Sequence, residues 1–180
     1  NSTVFGGIAG DTMALYVSNR ELLEPNQESI EESIAMHRKP LTQAQGDIEF
    51  IRDELADCMW DQVGILRNQN DLVAARERLD RLDAMLQTMG VGDTNPTFNL
   101  TWQDWMNLQN LILVSQAVVE AALSRENSRG AHYRDDFPEP GSLEESYYTA
   151  VNLDQNGLRI QNQPVQFTMI KPGQTILVES

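Results

Sequence analysis

Asn99-Leu100-Thr101-Trp102-Gln103-Asp104-Trp105, with the apolar run that follows it to Leu123, is the stretch on which the fold turns. Thr101 and Asp104 have the spacing of a capping box, in which the hydroxyl accepts a backbone N–H and the carboxylate reaches back toward the cap. Leu100 and Trp105 stand where a hydrophobic staple would place them. Beyond them Met106, Leu108, Ile112, Leu113, Ala117, Val118, Ala121, Ala122 and Leu123 are dense enough to bury most of a helix circumference. Gly130 stops the helix, and Pro138 closes the segment after it. Such a helix is the expected centre of an all-helical domain.

Working toward the N-terminus, two further helices come into view. Thr42 with Gln45 is a second capping-box pattern, and Ile48, Ile51, Leu55, Met59, Val63 and Leu66 mark one helix face. Asn70 is placed to cap the next helix, where Leu72, Ala75, Leu79, Leu82, Leu86 and Met89 step by threes and fours. Arg76 with Asp80, and Glu77 with Arg81, are opposite charges one turn apart on its wet face. Gly90 is the expected C′ residue, with Val91 against Leu86 in a Schellman cap. Three such helices with short connections predict a mainly α chain, with an antiparallel up-down three-helix bundle over residues 43–138.

Both flanks differ from the bundle. Residues 139–180 read as a β-hairpin extension: Tyr147, Thr149, Val151 and Leu153 alternate, and Asp154-Gln155-Asn156-Gly157 turns the chain. Leu158, Ile160, Val165, Phe167 and Met169 then resume, interrupted by Pro164. A last apolar segment, Thr175 to Val178, is an edge strand or a loose tail. Residues 1–20 read as a helix capped by Asn1 or Ser2, whose Gly6, Gly7 and Gly10 suggest close approach of another backbone. Residues 21–42 are a polar linker in which Glu28, Glu31 and Glu32 suit a short exposed helix between Pro25 and Pro40.

Composition removes several classes of function. The net charge of −14 argues against nucleic acid and anionic membrane as partners, since both demand basic patches. A lone cysteine, Cys58, excludes an internal disulfide framework and a cysteine-rich metal site; its place in an apolar helix pattern predicts a buried thiol in a reducing compartment. No apolar run approaches the roughly 20 residues that span a bilayer. His37 has no second ligand near it, so no metal site is assigned.

The helix exit carries more information. Arg125, Glu126, Arg129, His132, Arg134, Asp135 and Asp136 crowd alternating charges into a short loop, which on charge pattern alone is a salt-bridged helix end. Ser128-Arg129-Gly130-Ala131-His132, followed by Arg134, Asp136 and Pro138, also resembles the motif of the C-terminal helical domain in the succinate dehydrogenase/fumarate reductase flavoprotein family, which includes L-aspartate oxidase. Val4-Phe5-Gly6, with Ala9 and Gly10, is similar to the same family's Val-Phe-Gly-x-x-Ala-Gly helix, and Met59 with Val63-Gly64 and Arg67 to its Met-x-x-x-Val-Gly-x-x-Arg segment. The interval between Asn1-Ser2 and Val4-Phe5-Gly6 is several residues shorter here than in the family.

That resemblance implies a larger protein. Residues 1–20 would be the terminal helix of an FAD-binding domain lying upstream, and Ser2 and Thr3 the flavin contacts, at a helix end whose free N–H groups and dipole favour negative charge on a reduced isoalloxazine. The family's catalytic arginine and histidine also lie upstream, so no catalytic residue is assigned. The chain is expected to belong to an FAD-dependent oxidoreductase, to support the flavin domain and dock partners, and on its own to be inactive and bind no FAD. Implied partners are the upstream FAD-binding domain and an iron–sulfur subunit; the implied location is cytoplasmic, at the inner membrane face through partner subunits. The alternative is a stand-alone acidic helical scaffold or adaptor without cofactor.

Overall fold

A computed structural model describes residues 2–174 of the chain. The N-cap expected at Asn1 and the segment expected over Thr175 to Val178 lie outside the described residues. The chain divides into two units between Arg38 and Lys39.

The first unit holds two helices. α1 spans Ser2–Ser18 and α2 Gln27–Arg38, and neither contains a buried residue. Ser2 is already helical. Arg20 closes over the Tyr16 ring at 4.0 Å, a cation–π contact beyond the α1 C-terminus. α2 begins with an Asn26 side chain accepting from the Ser29 N–H, and Gln27 pairs with Glu31 one turn on.

The second unit is a three-helix bundle with a hairpin, as the apolar periodicity predicts. α3 (Ile48–Val63), α4 (Gln69–Leu86) and α5 (Leu100–Ser124) enclose one core. α4 supplies Leu72, Ala75, Leu79, Leu82 and Leu86, all buried at the predicted spacing. α3 supplies Ile48, Ile51, Leu55, Cys58 and Val63; Leu66, expected on this face, lies past the helix end and is exposed. From α5 come Trp105, Leu108, Ile112, Ser115, Val119 and Ala122. That is a single stripe rather than most of the circumference, since Leu111, Val114 and Val118 face outward. Trp105 is the largest buried side chain, and its indole N–H donates to Met89 O at 3.0 Å.

The helix starts differ in detail from the predicted caps. Asp47, Asn68 and Asn99 accept from the N–H groups of Phe50, Asp71 and Trp102, so the caps are not Thr42, Asn70 or Thr101. Leu100 becomes the first helical residue and stays exposed, so it forms no staple with Trp105. Gly90 closes no Schellman cap. It forms a parallel bridge with Gln45, donating to Ala44 O at 2.7 Å while its own carbonyl accepts from Gly46 N, and a Cβ there would collide with Gln43 O. Val91 is buried and donates to Pro40 O. Arg76 and Asp80 do not pair with each other; both reach across to α5, at Glu120 and Gln116.

Two small sheets complete the unit. β1 (Leu66–Arg67) pairs in parallel with β2 (Tyr133–Arg134), bringing the α3–α4 connection to the α5 exit. β3 (Tyr147–Asp154) and β4 (Gly157–Pro164) form the expected antiparallel hairpin, in register from Tyr147↔Pro164 to Asp154↔Gly157. Gly157 turns at φ 106°, and the ladder stops at Pro164, which has no N–H to offer.

Candidate functional site

The loop after α5 is folded around two arginines with different partners. Gly130 takes φ +60° while Ala131 does not, and the N–H and carbonyl groups of Arg129 and His132 exchange hydrogen bonds of 2.9 and 3.1 Å. This is a II′-type reversal, which needs glycine at its first central position. Ser128 holds the loop from within: its hydroxyl accepts from Arg134 N at 2.9 Å and donates to Phe137 O at 2.8 Å.

Arg134 is completely buried. Its Nε and one Nη form a two-pronged pair with Asp136, both at 2.7 Å. The other Nη donates to the Ala122 and Leu123 carbonyls, at 2.9 and 3.5 Å, and Gln69 Oε1 accepts at 3.3 Å. These carbonyls belong to the last turn of α5, where no i+4 helical partner follows and positive charge is favoured. Asp136 in turn accepts from Gln69 N at 2.9 Å, the first N–H of α4. One ion pair therefore joins the negative end of α5 to the positive end of α4. The Arg134 guanidinium beside it holds the Asp136 carboxyl down at about 2.

Arg129 reaches no carboxylate among the described residues. Its guanidinium donates to the carbonyls of Pro140 and Ser142 and, at 2.9 Å, to Ser146 Oγ, pinning the strap that leads into β3. Both arginines thus find their partners inside this chain, a carboxylate and helix carbonyls for Arg134, loop carbonyls and a hydroxyl for Arg129.

His132 is buried beside them. Its Nε2 lies 3.3 Å from Arg125 O and its Nδ1 3.1 Å from an Nη of Arg67. A guanidinium only donates, so Nδ1 accepts and Nε2 carries the proton: the ring is neutral. Burial pushes its pKa down, and the charges of Arg125 and Arg67 push the same way. Arg67 itself donates Nε to Val63 O and Gly64 O, and burial, then Arg125, lower its pKa too.

Ser2 and Thr3 lie in the first turn of α1, both exposed. Cys58 is fully buried on the α4-facing side, with Ala75 O 3.9 Å away, and burial raises its pKa. Among the described residues no cluster of three His, Cys, Asp or Glu could hold a metal ion, and no helix is long and apolar enough to cross a membrane. The sequence pattern did not mark Arg67 as part of the exit loop, because the parallel β1–β2 pairing that brings it there, Leu66↔Tyr133 and Arg67↔Arg134, joins residues far apart in the chain.

A family model described as fumarate reductase flavoprotein C-term matches residues 52–176. An uncharacterized FAD-dependent oxidoreductase of Methanocaldococcus jannaschii is 34% identical over 141 residues, covering 77% of this chain and 25% of that protein. A fumarate reductase flavoprotein subunit of Mycobacterium tuberculosis is 30% identical over 182 residues, covering 96% of this chain and 31% of its own length. Among solved structures, Sdh1 of Mycobacterium smegmatis superposes with a TM-score of 0.80 at 25% identity, covering 87% of this chain and 27% of the other. The chain thus spans a quarter to a third of the length of these relatives.

Proposed function

The chain belongs to the family of fumarate reductase flavoprotein C-terminal domains, and from that premise we propose that it braces the flavin-binding part of an FAD-dependent oxidoreductase without contributing a catalytic group of its own. The observation that carries this reading is the use made of the Ser128–Asp136 segment. All five N–H directions of Arg134 end on Asp136, Gln69 and helix carbonyls; Arg129 ends on carbonyls and Ser146; and His132 is buried as a neutral donor–acceptor. Groups so engaged hold geometry and have nothing left with which to move a proton.

The N-terminal turn of α1 fits a flavin. It offers exposed Ser2 and Thr3 hydroxyls at the positive end of a helix of 17 residues. Ser2 and Thr3 would hold the edge of the ring that gains negative charge. FAD, when bound, supplies hydride transfer; this chain's residues orient and support it. Residues 1–20 are then the terminal helix of the FAD-binding domain, 21–42 the linker, 43–138 the bundle and 139–180 the hairpin extension. The upstream FAD-binding domain is the first partner, an iron–sulfur subunit the second, and the setting is the cytoplasmic face of the membrane. A stand-alone acidic scaffold is the weaker reading, because the relatives carry this segment as part of flavoprotein subunits.

Substitution of Arg129 in the full-length enzyme tests the bracing role. Arg129→Lys keeps the charge but loses the planar fork that serves three acceptors. The variant should melt at lower temperature or lose flavin more readily, while turnover per bound flavin stays nearly unchanged. A fall in that turnover of about a hundredfold, the scale of lost acid–base catalysis, with folding and flavin content intact, would make the loop catalytic and overturn the reading.

A further inference from the structure

A groove beside the C-terminal half of α5 gathers positive charge that no ion pair among the described residues neutralises. Arg67 and Arg125 line it, with His132, Tyr147, Tyr148 and Thr149. Four other arginines of this unit reach an acid, Arg52 at Glu49 and Asp104, Arg76 at Glu120, Arg78 at Glu54 and Arg134 at Asp136, while Arg129 is taken up by carbonyls and Ser146. Arg67 and Arg125 form no ion pair among the described residues, in a chain carrying 27 acidic side chains against 13 basic ones. After burial, the Arg125 charge disfavours the protonated form of Arg67, and the charges of Arg125 and Arg67 disfavour that of His132.

The wall of the groove holds a second unpartnered group. Thr149 Oγ1 is buried without a hydrogen bond among the described residues. A buried hydroxyl left so is destabilising, and two part-buried guanidiniums lining one groove repel. One anion seated between them removes both penalties at once. The exposed rim is apolar and aromatic, with Val118 38% and Tyr148 60% exposed. Beyond it, on β1, Leu66 is 63% exposed.

We propose that this groove is a carboxylate-binding site, in which the guanidiniums of Arg67 and Arg125 and the hydroxyl of Thr149 donate to one carboxylate. A planar fork matches a carboxylate in two-pronged fashion, and the apolar rim suits the carbon chain that carries one. Two sources present that group: an Asp or Glu side chain of the upstream domain, which rests on the reading above, and a free small organic acid. His132 reports on both, because its Nδ1 accepts from the Arg67 guanidinium and it lies in the field of the Arg125 charge, and a carboxylate held beside them raises its pKa.

The experiment uses the full-length polypeptide with 13C-labelled histidine, the His132 signal being assigned by its loss in His132→Gln. Its pKa is followed by NMR with and without acetate at matched ionic strength, in the wild type and in Arg125→Gln. If a side chain of the protein fills the groove, His132 titrates at or above the ordinary value near 6.5 with no acetate present. If the site takes a free acid, the pKa starts low and rises saturably with acetate by about one unit or more, and Arg125→Gln abolishes the saturable rise. A low pKa that acetate does not move overturns the proposal. Flavin content, read from visible absorbance of the same preparation, is a separate outcome: its absence would sink the flavoprotein reading and leave the result at His132 standing.

Discussion

Arg134 sits without solvent contact, and its neighbours explain how a full charge is kept there. Removing one partner of a buried pair leaves the other uncompensated, at about 3–5 kcal/mol. Because Asp136 retains some exposure, the loss in Asp136→Asn is expected near the lower end of that range, read from denaturant melts at neutral pH. The pH dependence has a definite sign. A carboxyl held at about 2 in the folded protein, against roughly 3.9 in the unfolded chain, contributes stability that is complete above pH 4 or so and fades as pH falls toward 2. Wild-type stability should therefore decline across that window, and Asp136→Asn should lack this component of the decline. Equal slopes in the two proteins would mean that Arg134 is not what holds the carboxyl down. The segment's residue types were legible as a charged, salt-bridged helix end. Which carboxylate Arg134 would choose was not, because Asp135 and Asp136 are equivalent in sequence and only the route of the turn separates them.

Elements were legible in their interiors and less so at their ends. The α4 face came directly from spacing, since i, i+3 and i+4 positions share a side of a helix whatever surrounds it. Caps depend on where the preceding loop delivers the chain. Asn99 is placed by donating to the carbonyls of Asp93 and Asn95, so it, and not Thr101, meets the Trp102 N–H. Asn99→Ala should cost about 1 kcal/mol, as lost caps do, while Thr101→Ala, at an exposed helical position, should stay within about 0.5 kcal/mol. Chemical denaturation of the two variants checks this, and the reverse order would restore the capping box. α5 shows the same division: its apolar density marked a helix, but the bundle covers only one side of it, leaving Leu111 and Val114 outward.

The second unit is a bundle core tied at one end by the Arg134–Asp136 pair, with a hairpin following it in the chain. Under the proposed function, the isolated 180-residue chain is expected to bind no FAD, because one helix turn is all it offers the cofactor. Quenching of flavin fluorescence on titration with the purified chain measures this, and tight, saturable binding would overturn the fragment reading. Helix positions, the hairpin and its turn, the buried thiol of Cys58 and the family likeness of Ser128–Pro138 all follow from residues close together in the chain, because periodicity, turn chemistry and motif spacing are local properties. The parallel pairing of Leu66 with Tyr133, the bridge between Gln45 and Gly90, the reach of Arg76 to Glu120 and the meeting of Arg67 with His132 needed the packed chain. Each joins residues more than forty positions apart, and such contacts form only once the core has offset the entropy of closing the loops between them.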